Sequence, residues 1–251
     1  MFYDDQSCDV VIPLGSGSKL DNLELRLALR SIAAYAANCR NIYLIGETIP
    51  DWVNNLRVLH IPDKHKHNKD ANIIDKLLAV AELDELSERF IFWSDDQLAL
   101  QKFSLTALLP AYNRRSRRHF IRDQTWHRRM RHTFDLLAEK NIFIQWNWDS
   151  HLPQPLNKTL FRQLVGSTDY AVEPGYCVNT LYFALANTLP RLEQSVIKAT
   201  FEQAVMLEKL PEKLFCGYND NGLQGNLLQL LQEHFPQPCI YEKPPEIYYP
   251  A

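Results

Sequence analysis

"RFIFWSDDQLAL" (residues 89–100) decides the fold. Arg89 to Trp93 is a short apolar run of the kind that fills a strand buried on both faces. Two adjacent carboxylates, Asp95 and Asp96, interrupt it, and apolar chain resumes at Leu98. In a parallel sheet, such a strand end lies on the carboxyl rim, where open α/β sheets bind ligands.

Working outward, "CDVVIPLGSGSK" (8–19) is a second buried strand, running into a Gly/Ser loop. A helical stripe of Leu25, Leu29, Ile32 and Ala36 follows. Asp21 with Glu24 three residues on predicts a capping box at its start. Arg26 and Arg30 stand one turn apart on a neighbouring face. "NIYLIG" (41–46) and "RVLHIP" (57–62) read as strands, and "DANIIDKLLAVAEL" (70–83) as a helix with Ile74, Leu77, Leu78 and Ala81 inward. Strand and helix alternating in this way predict an α/β domain with a mainly parallel sheet flanked by helices.

The second half is less regular and more helical. A helix is expected from about Asp123, with Trp126, Met130, Phe134 and Leu137 as its core stripe. "IFIQWNWDSHLPQPLNK" (142–158) reads as a strand leaving into a proline-bounded loop, and Asn157 as the cap of a short helix ending at Gly166. "VNTLYFALAN" and residues 191–209 look helical, and "KLFCGYNDNG" (213–222) reads as a short strand ending in an Asn/Asp/Gly turn. A helix carrying Leu223, Leu227, Leu230 and Leu231 comes next, then an extended proline-rich tail.

The 251 residues suffice for one large domain that needs no covalent staples. A net charge of −3 gives the whole molecule no reason to coat nucleic acid. The five cysteines are scattered, with no C-x-x-C pair, which fits a reducing cytoplasm. No signal peptide or membrane-length apolar run is visible, so a cytoplasmic protein is expected, with peripheral membrane association left open.

Candidate chemistry gathers at strand ends. Asp95 and Asp96 repel each other, and a divalent cation relieves that repulsion. Mg2+ is commonly held by one or two carboxylates plus substrate phosphates. An exposed acidic turn is the plainer alternative. His151, in the stiffened loop "WDSHLPQP", has the side chain to take a proton from a hydroxyl at neutral pH. It also fits an ordinary surface loop. Asn219 and Asp220 resemble a tight turn. Asn68 and Asn72 flank the start of a helix whose N-terminus is suited either to a plain cap or to an anionic phosphate. Residues 114–131 hold eight arginines. They suit a solvated face, a clamp on an anionic substrate, or an RNA- or glycan-binding patch, with Trp126 and His127 as stacking surfaces.

Read together, four co-linear blocks resemble the Stealth family of capsular polysaccharide hexose-1-phosphate transferases. The family's E-L-x-x-S-L-R-S-I helix corresponds to Glu24–Ile32 and its I-Y-I-V strand to Ile42–Ile45. Its P-x-W-L turn corresponds to Pro50–Val53 and its F-N-D-D strand end to Trp93–Asp96. "HLPQPLNKTLFRQL" (151–164) resembles the H-x-P-x-x-x-x-K/R segment. "KLFCGYNDNGLQGNLLQLLQEHFPQPCIYEK" (213–243) resembles the last block, with Cys239 and Tyr241 in place of Ser and Phe. The opening departs from the family. Where the family has a strand and W-V-D-G, this chain has "IPLGSGSK", closer to nucleotide-sugar transferases in general.

The resemblance implies a GT-A-like, Rossmann-like α/β fold across residues 1–251. Residues 1–110 would be a nucleotide-sugar-binding core, and 111–251 an acceptor-side part. It implies a transferase moving sugar-1-phosphate from a nucleotide-sugar donor to a saccharide acceptor. Such a reaction serves capsular or cell-surface polysaccharide synthesis, near a membrane assembly. Asp95 and Asp96 would hold Mg2+ or Mn2+. Arg26, Arg30 and Arg122 would neutralise phosphate oxygens. Pro13, Leu14, Gly15 and Lys19 would line the nucleotide pocket, with Asn68 and Asn72 beside it. His151 would be the general base, and Asn219 and Asp220 would orient the acceptor or complete the metal shell. Glu24 would brace Arg30. The alternatives are a GT-A glycosyltransferase that moves the sugar itself and a non-catalytic RNA- or glycan-binding module built on the arginine-rich segment.

Overall fold

The computed structural model of the chain describes residues 7–193, 197–199, 212–219 and 222–244. Its centre is a five-stranded sheet. Four strands run parallel: β1 (Cys8–Pro13), β3 (Cys39–Gly46), β4 (Arg57–His60) and β5 (Arg89–Phe92). A fifth, β9 (Gln154–Asn157), closes one edge antiparallel to β5, so the order is β4-β3-β1-β5-β9. The sheet is thus mixed, mainly parallel and flanked by helices. Pro155 is tolerated in β9 because an edge strand leaves one side of its backbone unpaired.

The alternation of side chains along these strands fills two layers. Val11, Tyr43, Ile45, Phe90 and Phe92 pack against α2 (Lys69–Ala81), α4 (Lys158–Leu164) and α5 (Val178–Leu185) through Ile74, Leu77, Phe161 and Leu181. Val10, Ile12, Ile42, Leu44 and Ile91 turn the other way, onto Leu25, Leu29 and Ile32 of α1 (Leu23–Tyr35). Burial on both faces explains why these strands read as unbroken apolar runs.

Past the Asp95–Asp96 corner the chain enters a second sheet. β6 (Gln97–Ala99) pairs antiparallel with β12 (Phe215–Tyr218), which pairs in parallel with β11 (Ile197–Ala199). Leu27 and Ala28 of α1 pack beneath it, with Leu98, Cys216 and Leu231 of the last described helix, Gly225–His234. Two short pairs, β2 (Ala36–Ala37) with β7 (Phe103–Ser104) and β8 (Ala111–Tyr112) with β10 (Leu192–Glu193), brace the edges. α3 (Thr125–Glu139) buries Met130, Phe134 and Leu137, as its stripe predicts, while Trp126 stays half-buried.

Three local expectations are corrected. No capping box forms at α1: its N-cap is Asn22, in the left-handed region, with no side-chain cap. Ser18 does the work, its Oγ accepting the N–H groups of Leu20 and Asn22 and donating to Glu24 at 2.8 Å. Residues 142–148 form no strand, only a bridge between Asn147 and Asn113; the strand lies beyond the loop, at Gln154–Asn157. Within 191–209 the described residues form strands rather than helix. Most of that stretch, and the proline-rich tail from 245, lie outside the described residues.

One buried charge ties the sheet together. Asp9 in β1 is fully buried, and its carboxylate accepts hydrogen bonds from Arg40, the backbone and side chain of Asn41, and the backbone and hydroxyl of Ser87. Burial pushes its pKa up, but Arg40 and Ser87 outweigh that and hold it below the ordinary carboxylate value of 3.8. Because the folded pKa lies below the unfolded one, this contribution is full above about pH 4 and is lost as pH falls further. Asp9→Ala should cost about 2–4 kcal/mol at pH 7, since Arg40 remains partly hydrated while the buried donors are orphaned. Urea unfolding at pH 7 and pH 3 checks this: the difference between variant and wild type should shrink at the lower pH.

Candidate functional site

The site is built where β5, β12 and the loop before β9 meet. Trp93 seals the end of β5, its Nε1 donating to the Gln97 carbonyl at 2.8 Å, while the Gln97 side chain accepts the Ser94 N–H at 3.2 Å. That tight corner leaves Asp95 and Asp96 half-buried at the carboxyl rim of the parallel strands. The backbone N–H of Tyr218, at the end of β12, donates to the Asp96 carbonyl at 3.1 Å, so Asn219 follows directly beside the acidic pair.

Gly217 explains how His151 joins them. A Cβ added there would lie 3.3 Å from the His151 carbonyl oxygen, 3.6 Å from the His151 Cβ and 3.7 Å from the Asp96 carbonyl oxygen. The absent side chain lets the histidine loop lie flat on β12. His151 has φ 53°, a left-handed backbone that a turn must enforce. Gln154 enforces it from below, donating to the carbonyls of Trp148 and Ala111 and to the Ser150 hydroxyl while accepting the Ala111 N–H.

Charge here is predominantly negative. Burial first, then the charges of Asp96 and Glu24, push the Asp95 carboxyl up to about 7 against the pull of Lys69. Glu24, expected to brace Arg30, is buried, accepts the Ser18 hydroxyl, and its charge reaches Asp95 instead. Lys69 opens α2 and acts on both Asp95 and Asp70, which places the N-terminus of α2 on the same rim. Asp70 is raised to about 6, chiefly by burial, although Arg129 pairs with it at 2.9 Å. Asp149, in the histidine loop, adds a further negative charge there and accepts a hydrogen bond from Trp126 Nε1.

Several expected phosphate ligands are engaged elsewhere. Arg26 Nη1 contacts Glu242 at 2.8 Å and stacks over Trp52, and Arg30 grips the same carboxylate through Nε at 2.6 Å and Nη2 at 2.8 Å. Both guanidiniums thus brace the C-terminal segment. Asn68 caps α2 through the Ala71 N–H and leans on the carbonyls of 170–172, and Asn72 closes the His65 loop with two hydrogen bonds. Lys158, from the H-x-P-x-x-x-x-K segment, clamps the carbonyls of Leu83, Asp84 and Leu86 rather than a ligand. Leu14 is buried at the end of β1, its carbonyl held by Lys76 at 2.7 Å, while Gly15 and Lys19 are exposed beyond it. Asp220 lies outside the described residues.

Much of the arginine-rich stretch is spent internally: Arg117 on Asp135, Arg129 on Asp70, Arg131 on the carbonyls of Phe120 and Arg122. Arg115, Arg118 and Arg122 are exposed. Burial, with Arg122, Arg131 and Arg115 nearby, lowers the His127 pKa and keeps that ring neutral.

Among the described residues, no group of three or more His, Cys, Asp or Glu side chains is gathered to hold a metal ion. Two adjacent carboxylates completed by substrate phosphates still meet the needs of Mg2+, which keeps water and phosphate ligands. The raised Asp95 carboxyl fits a place where a cation would relieve repulsion. The sequence pointed to Asp95, Asp96 and His151 but not to Glu24, Lys69 or Tyr218. The one available signal for Tyr218 was its place next to Asn219 at a strand end.

An acid whose folded pKa lies above 3.8 makes the ligand-free protein less stable as pH rises from about 4 to 7. Asp95→Asn should therefore raise the melting temperature at pH 8 by a few degrees and leave it nearly unchanged at pH 4.5. Differential scanning calorimetry at the two values checks this.

No protein-family model and no curated protein matches the chain, so the family resemblance rests on the quoted blocks alone. Among solved structures the fold is similar to apo mouse xyloside xylosyltransferase 1, at 12% identity over 86% of this chain and 98% of that one, with a TM-score of 0.40. It is also similar to the apo form of the glycosyltransferase GlyE of Streptococcus pneumoniae TIGR4, at 12% identity over 92% of this chain and 60% of that one, with a TM-score of 0.46. A second GlyE structure gives 10% identity over 93% and 61%, with a TM-score of 0.43. The chain thus spans about three-fifths of GlyE. At TM-scores below 0.5 these likenesses assign neither reaction nor substrate. Among the described residues, no helix is long and apolar enough to cross a membrane.

Proposed function

We propose that the protein is a metal-dependent transferase that moves sugar-1-phosphate from a nucleotide-sugar to a hydroxyl of a saccharide acceptor, in capsular or other cell-surface polysaccharide synthesis. The observation that carries this reading is the meeting of Asp95–Asp96, the end of β12 and the His151 loop around Gly217, on the carboxyl rim of the sheet.

The loop from Pro13 through Leu14 and Gly15 to Lys19 borders the nucleotide. Asp95 and Asp96 hold Mg2+ or Mn2+, which when bound offsets the charge of the donor's pyrophosphate. His151 takes the proton of the acceptor hydroxyl as that oxygen forms its bond to the phosphorus nearest the sugar. The bond from this phosphorus to the bridging oxygen breaks, and nucleoside monophosphate leaves. Such chemistry asks the protein mainly for positioning and charge stabilisation. Asn219, with Asp220 after it, orients the acceptor. Arg122, which is exposed, neutralises a phosphate oxygen of the donor, and association with a membrane polysaccharide assembly belongs to the same reading. Arg26, Arg30, Asn68 and Asn72 take no direct part.

A second reading, transfer of the sugar itself, is favoured by the "IPLGSGSK" stretch that ends β1 and enters the next loop, in place of W-V-D-G. Phosphorus NMR of the product separates the two, because a phosphodiester retains phosphorus and a glycoside does not.

Purified protein titrated with UDP-, GDP- and CMP-sugars should bind at least one of the diphosphate donors more tightly with Mn2+ than without. Asp96→Asn should abolish the metal-dependent part. A flat response to every donor, with and without metal, sinks the reading. His151→Ala should keep donor affinity and slow transfer by about 10²–10⁴-fold. Unchanged turnover in that variant refutes the assignment of the base.

A further inference from the structure

β12 ends in a side chain that the transfer reaction above does not use. Tyr218 is 1% exposed, and its hydroxyl is buried without a hydrogen-bond partner. Its ring belongs to the cluster of Leu98, Cys216, Leu223 and Leu227, which fixes its direction. Its backbone is tied to Asp96. Burial, then the charges of Asp96, Asp95 and Glu24, push the phenol well above its ordinary pKa. A phenol, with an ordinary pKa of about 10, is neutral at physiological pH and retains an O–H to donate.

An orphaned buried hydroxyl is costly, and phenylalanine would fill the same space without that cost. The three carboxylates whose charges reach the phenol do not accept its proton, so the O–H is left for an oxygen brought in from outside. A fixed cation at this position would neutralise the acidic pair and compete with a metal ion. A neutral donor does neither.

We propose that Tyr218 is a ligand-binding residue whose hydroxyl donates a hydrogen bond to a phosphate oxygen of a nucleoside diphosphate held at the Asp95–Asp96 rim. This inference rests on the nucleotide-sugar reading and extends it. The diphosphate would be met on one side by the cation that the carboxylates hold and on the other by an uncharged phenol. Arg26 and Arg30 are bound to Glu242, so neither guanidinium is offered to the diphosphate.

Tyr218→Phe tests it through two readouts, neither of which is turnover. Thermal unfolding of the ligand-free variant should occur at the wild-type temperature or slightly above it. Calorimetric titration with UDP in excess Mn2+ should show affinity reduced about tenfold or more, as loss of a hydrogen bond to a charged oxygen implies. A folded variant that binds UDP as wild type does overturns the inference and leaves the donor reading standing. A markedly lower melting temperature also overturns it, because the hydroxyl then has a partner within the fold. Wild-type protein that binds neither UDP nor any other nucleoside diphosphate overturns the inference, and the donor reading falls with it only where the nucleotide-sugar titrations are flat as well.

Discussion

The antiparallel pairing of β6 with β12 is the interaction on which the site depends. β5 and β6 are consecutive in sequence, and the corner between them carries the acidic pair. β12 comes from more than a hundred residues away, and its register sets Gly217 opposite Gln97. One residue of slip would turn Tyr218 from the interior to the opposite face and put a side chain under the histidine loop. The apolar packing of Leu98, Cys216 and Leu227 between α1 and the last described helix holds that register. The geometry of the site is thus a by-product of burying an ordinary hydrophobic cluster.

Cations are allotted with similar economy around this rim. Arg26 and Arg30 share Glu242, Lys76 contacts Asp63 at 2.5 Å, and Arg129 takes Asp70. Lys69 is exposed, and its charge favours the ionised form of Asp95 without outweighing burial and the neighbouring carboxylates. The result is a locally negative corner in a protein whose net charge is only −3. A corner of this kind suits a metal-bound anion better than a bare one, because free phosphate would meet carboxylates first.

The parallel core was legible in the sequence because doubly buried strands and an amphipathic helix leave strong local patterns: β1, β3, β5 and α2 fall within a residue or two of where periodicity puts them. Asp95, Asp96 and His151 were legible as residue types at strand ends and stiff loops. What escaped notice depends on contacts distant in sequence. Glu24 looked like a helix-capping acid until Ser18 took that role, and Arg26 and Arg30 looked like phosphate ligands because nothing local announces Glu242. The strand expected at 142–148 is displaced to 154–157. There Gln154 satisfies the backbone of the turn, and the edge of the sheet is open to pairing with β5.

Glu242 has a consequence for anyone trimming or fusing this chain. Its side chain is fully covered, it faces two guanidiniums, and the residue after it donates to the Trp52 carbonyl. A boundary drawn a few residues earlier would remove no part of the central sheet. It would nevertheless leave two adjacent positive charges on α1 repelling each other against an indole, and would unlatch the helix that lies under β12. The segment at 239–243 is therefore the keystone of α1, however peripheral it looks on a linear map.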